Sequence, residues 1–129
     1  MDVNIGWTLF LEVAARKVQR TVDTVAERAG CAMLVEQVER YEKGPTKIKV
    51  MAVSARTAPD RAHAVYETLR MAQRIGLHWE IIGPEEDDSG YWRLEGWTQP
   101  ASVLGVTALK FLLEPADIPR REFVVSDSD

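Results

Sequence analysis

His78 and Glu80 stand two residues apart in a run that reads as a β-strand, so their side chains share one face. Tyr91, Arg93, Glu95 and Trp97 repeat that spacing in the run that would pair with it. A histidine beside Glu80 or Glu95 has the makings of an acid–base pair, with the carboxylate orienting the imidazole. Aromatic rings and a guanidinium on one face are also the chemistry of a binding hot spot. Nothing nearby supplies a nucleophile, a phosphate loop or a metal cage, so these six residues point to partner binding rather than catalysis. A plainer account of the same residues is a solvated sheet face with cross-strand charge pairs such as Glu80 with Arg93.

Glu85, Glu86, Asp87 and Asp88 form the most acidic patch. Carboxylates can bind Ca²⁺ or Mg²⁺, but this run lacks the alternation of an EF-hand loop. A solvated hairpin tip that discourages edge pairing explains it more simply. The patch could also face a basic partner and speed association. His63 and His78, with one cysteine elsewhere, make no zinc motif. Gly76, Gly83, Gly90 and Gly96 are scattered singly, so no phosphate loop is present. No metal and no cofactor are expected.

Cys31 is the only cysteine and sits among Ala32, Met33 and Leu34, as a small buried hydrophobe would. A chain with no intrachain disulfide fits a reducing interior. The apolar run from Ile5 to Ala15 is too short to span a bilayer, and Asp2 replaces the basic start of a secretory signal. The expected location is the cytoplasm, with no membrane partner. Of the 129 residues, 46% are apolar and 28% charged, the balance of a globular domain. The net charge of −4 argues against a general nucleic-acid binder.

The elements that would position these residues follow from periodicity and turn signals. Trp7, Leu11, Ala14, Val18, Val22, Val25 and Ala29 recur at spacings of three and four, which predicts one long helix over about 5–29. Lys43-Gly44-Pro45-Thr46 is a turn signal between Met33–Glu42 and Lys47–Ala55, which read as a hairpin. Val35, Val38 and Tyr41 also fit a helical spacing, so 33–42 stays open between strand and helix. Thr57-Ala58-Pro59-Asp60 opens a helix that Gly76 closes. Trp79–Ile82 and Tyr91–Trp97 read as a second hairpin. Thr98-Gln99-Pro100 repeats the opening signal 41 residues later, before Val103, Val106, Leu109 and Leu113.

The predicted fold is therefore two-layer α+β: a four-stranded, mainly antiparallel sheet from a pseudo-repeated ββα unit, preceded by a long N-terminal helix. One domain covers 1–119, with ββα units at about 33–75 and 78–114. A tail at 120–129 holds the strand-like patch Phe123-Val124-Val125. Strand parity puts Trp79, Ile81, Trp92 and Leu94 on the helix-covered face. Counting back 41 residues puts Ile48, Val50, Ala52 and Ser54 on the opposite, outward face, where they would need a cover. The long helix or a second subunit could supply it, and a homodimer is expected.

These residues describe a small intracellular protein-binding module without catalysis, such as an inhibitor, immunity-type or adaptor protein. Its binding face would be that of the second hairpin. Two alternatives remain open at this level. One is a self-assembling subunit that uses the N-terminal helix and tail as connectors. The other is a small-molecule-binding protein or enzyme with a pocket near His78 and Trp97.

Overall fold

Val3, Ile5, Trp7, Leu9 and Leu11 alternate with Asn4, Gly6, Thr8 and Phe10, which is the period of a strand buried on one side. The computed structural model describes residues 1–40 and 46–119, and it forms this strand as β1 (Asp2–Glu12). A single 3-10 turn at Ala15–Lys17 leads into α1 (Val18–Ala29). Then follow β2 (Leu34–Arg40), β3 (Lys47–Thr57), α2 (Arg61–Gln73), β4 (Trp79–Glu86), β5 (Trp92–Thr98) and β6 (Val106–Pro115). The strands form one six-stranded sheet in the order β2-β3-β1-β6-β5-β4, with every neighbouring pair antiparallel.

This corrects the four-stranded fold with a long leading helix. The spacing of three and four that suggests a helix over 5–29 joins a strand to a shorter helix. Only its second half, with Val22, Val25 and Ala29 buried, is helical. Gly30 ends α1 in the left-handed region, with its N–H bonded to Ala26 O. The expected last helix is also a strand. Gly105 has a positive φ of 86°, which breaks any helix over 101–114. The segment 33–42 resolves as strand where described, from Leu34 to Arg40. The turn at Gly44-Pro45 and the patch Phe123-Val124-Val125 lie outside the described residues.

Both helices pack on one face of the sheet. Val22, Val25, Ala64 and Met71 share a core with Ile5, Trp7, Val50, Leu94 and Phe111. Trp7 lies at its centre, edge-on to Phe111 with ring centroids 6.0 Å apart. The Trp7 indole N–H donates to Ser54 Oγ at 3.0 Å, and Ser54 donates to Ala32 O. The Trp79 indole N–H bonds the carbonyls of Ala72 and Gly76, fixing the link from α2 to β4.

The face reading of the first hairpin is corrected too. Ile48, Val50, Ala52 and Ser54 are buried under the helices and need no other cover. The error is one residue. Thr57 and Thr98 end the corresponding strands β3 and β5, but they point to opposite sides. Thr98 is buried and donates to His78 O, whereas Thr57 is exposed and donates to Asp2 Oδ1. A one-residue slip exchanges the two faces of a strand. The specific ground for a second subunit over the first hairpin therefore falls away.

Candidate functional site

With both helices on one side, the other side of the sheet is open, and two rows of side chains cross it. Strand register places Ile82, Glu95, Leu112, Gly6, Val53 and Leu34 in one row, each beside the next. The neighbouring row runs Glu80, Trp97, Lys110, Thr8, Met51 and Gln37. A groove of about 290 Å³ lies between them, lined by Gly6, Thr8, Glu95, Trp97, Lys110 and Leu112, with Glu80 and Ile82 at the β4 end.

Three of the six expected binding residues meet in this groove: Glu80, Glu95 and Trp97. Trp97 is half-buried. The edge of its ring meets Phe10 at a centroid distance of 5.8 Å, and Lys110 Nζ lies 5.3 Å from its centre. Such a cation–ring contact contributes roughly 0.5–1 kcal/mol at an exposed site and holds the indole in place. Arg93 lies on the same face further along β5, opposite Glu85 rather than Glu80. The hairpin register sets Glu80 opposite Trp97, and an irregularity between Ile82 and Glu85 brings Glu85 opposite Arg93, so the expected Glu80–Arg93 pair does not form.

The other two expected residues take different places. Tyr91 is fully buried, and its hydroxyl donates to Glu114 Oε2 at 2.7 Å. His78 precedes β4, is exposed, and enters the fold through its carbonyl, which accepts from Thr98. Among the described residues its ring makes no hydrogen bond to Glu80 or Glu95.

The acidic run is largely engaged within the chain. Glu86 pairs with Arg61 at 3.2 Å. The Asp87 carboxylate accepts from the Ser89 amide and hydroxyl, closing the turn. Glu85 stands opposite Arg93, and Asp88 is exposed. Among the described residues, no three His, Cys, Asp or Glu side chains gather as a metal site would require. Cys31 is buried beside Ser54.

Gly6, Thr8, Lys110 and Leu112 complete the groove, and the sequence reading did not select them. The alternation in β1 is the signal that could have found the first two. Gly6 is the informative one. A glycine inside a central strand weakens it and has no side chain to pack. Its backbone needs no positive φ, and a Cβ built on it would meet nothing nearer than Leu112 O at 3.9 Å. Neither conformation nor packing requires glycine here, and its effect is to leave space at the middle of the open face. Gly96 is the contrast: the Phe111 ring occupies the place of its missing side chain.

No helix among the described residues is long and apolar enough to cross a membrane. Comparison with protein families, curated proteins and solved structures finds no match to this chain.

Proposed function

We propose that the chain is a non-catalytic protein-binding module whose partner docks on the open face of the sheet around Trp97. The observation that carries this reading is the row Ile82–Glu95–Leu112–Gly6–Val53–Leu34, which crosses all six strands with its ends exposed and its four middle residues partly exposed. Leu34 and Ile82 at its two ends are 69% and 57% exposed. Burying each such side chain fully is worth about 1.5–3 kcal/mol. Six strands about 4.8 Å apart and some 23 Å long give roughly 550 Å² of projected face. Side-chain relief raises that toward the ~800 Å² per partner of an ordinary stable interface.

The groove is open and sits at the lower end of the ~300–1,000 Å³ range of small-molecule sites, which supports a protein over a small ligand. The exposed position of His78 outside the strand, with no bond from its ring to either carboxylate, supports binding over acid–base chemistry. Self-assembly through a long N-terminal helix loses its connector, since the N-terminus is strand β1.

The test is capture of a partner from an extract of the native host by the wild-type chain, Trp97→Ala and Gly6→Leu, with Tyr66→Ser on α2 as control. The expected result is loss of the captured protein in the first two variants and retention in the control. Equal capture by all four would overturn the reading. Capture of nothing, with light scattering showing a dimer that Gly6→Leu splits, would replace the partner with a second copy.

A further inference from the structure

A second surface, away from the open face, has a different chemistry. A cleft of about 810 Å³ lies between α1 and residues 103–107, which lead into and begin β6. Lys17, Arg20 and Arg28 line one wall. Lys17, in the 3-10 turn that leads into α1, and Arg20 and Arg28 on α1 fall on one face over about 16 Å. Arg28 Nη1 donates to Ser102 O at 2.6 Å and so reaches across the cleft. Glu12 is the only carboxylate in the lining, and Lys47 pairs with it at 3.1 Å. Among the described residues the Lys17 and Arg20 side chains form no ion pair. Three cations gathered in one cleft of a chain with net charge −4 make a local field opposite in sign to the whole.

The wall facing α1 is mainly apolar over 103–106, while Thr21, Thr24, Thr46 and Thr107 add hydroxyls to the lining. Val13, Val103 and Val106 contribute apolar side chains, and Leu104 beside them is 97% exposed. An occupant must therefore present negative charge to α1 and apolar groups to the facing segment. A row of cations about 16 Å long matches about five residues of extended chain at ~3.3 Å each. We propose that this cleft binds an acidic peptide segment of a protein partner, one that carries apolar side chains between its carboxylates. The apolar wall and Leu104 favour such a segment over a nucleic-acid backbone, which would use the cations alone.

Fluorescence anisotropy tests this with the full chain and a labelled nonapeptide of strictly alternating Glu and Leu, which when extended puts its carboxylates on one side and its apolar groups on the other. The wild type should bind it, with affinity falling steeply between low and high salt. Lys17→Glu with Arg20→Glu should weaken binding about tenfold or more. Leu104→Asp should weaken it as well, and the same peptide with Gln in place of every Glu should not bind. Lys17, Arg20 and Leu104 are exposed, so circular dichroism should show all variants folded. Three results would each overturn the proposal: no binding by the wild type, binding indifferent to the double charge reversal, or tighter binding of a single-stranded oligonucleotide that Leu104→Asp leaves unchanged. Trp97→Ala should leave peptide binding intact, which separates this site from the open face.

Discussion

Gly6 stands directly beside Leu112 across the β1–β6 pair, at the middle of the open sheet face, and nothing in the fold requires it to be glycine. The gap is a cost to the strand and an opportunity for whatever docks there.

Gly6→Val should therefore hold or raise stability, by up to about 1 kcal/mol, because a β-branched residue suits a strand and restricts the unfolded chain. The same variant should lose the partner. Gly96→Ala should do the opposite. Its methyl group would enter the space of the Phe111 ring, and forced overpacking costs about 1–3 kcal/mol. Urea denaturation of the two variants reads both effects.

Ser54→Ala removes the acceptor of the Trp7 indole N–H in the core. An orphaned buried donor costs about 1–3 kcal/mol, and the denaturation midpoint should fall accordingly. Trp7→Phe in the same background should cost less than it does alone, since the orphan is then gone.

Tyr91→Phe tests the buried contact with Glu114, which lies on the same side of β6 as Leu112 but is covered. A protein hydrogen bond contributes about 0.5–1.5 kcal/mol net, so stability should drop by that order. Partner capture should survive, because Tyr91 is not on the surface.

Individual elements were legible while the fold class was not, and the failures have local causes. Turn residues and alternation locate the strands β3, β4 and β5 and the helix α2, although the cap of α2 is Asp60 and not Thr57. The strand β1 was misread because Trp7 and Leu11 fall four apart and continue into the stripe of α1. Phe10 on the open side also blurred its alternation. The strand β6 was misread because both its faces are covered at Ala108 and Glu114, which leaves no clear period of two. Thr98 looks like a helix cap but spends its hydroxyl on His78 O. At the site, parity within β4 and β5 found Glu80, Glu95 and Trp97. The partners from β1 and β6 come from strands distant in sequence, which single-strand parity cannot join.

The start of α2 should respond to pH from both sides. Asp60 Oδ1 accepts from the His63 amide at 2.9 Å and lies 2.8 Å from His63 Nδ1. The amide bond first, then the ring, holds the Asp60 carboxyl below its ordinary 3.8. The bond to Asp60 raises the His63 imidazole above its ordinary 6.5. The His63 contribution is full below 6.5 and is lost as pH rises through the raised value. The Asp60 contribution is present above 3.8 and is lost as pH falls through the lowered value. Helix α2 should be best anchored between those two limits. Proton NMR titration of His63 should show the raised midpoint, and Asp60→Asn should return it to the ordinary range.

Hydroxyl-radical footprinting of the chain with its captured partner tests the central claim most directly. Met51 and Trp97 lie in the same cross-sheet row and are readily oxidised, while Tyr66 on α2 is an exposed reference on the helix side. A partner on the open face should protect Met51 and Trp97 and leave Tyr66 unchanged. Protection of Tyr66 with Met51 and Trp97 oxidised as in the free chain would contradict the account.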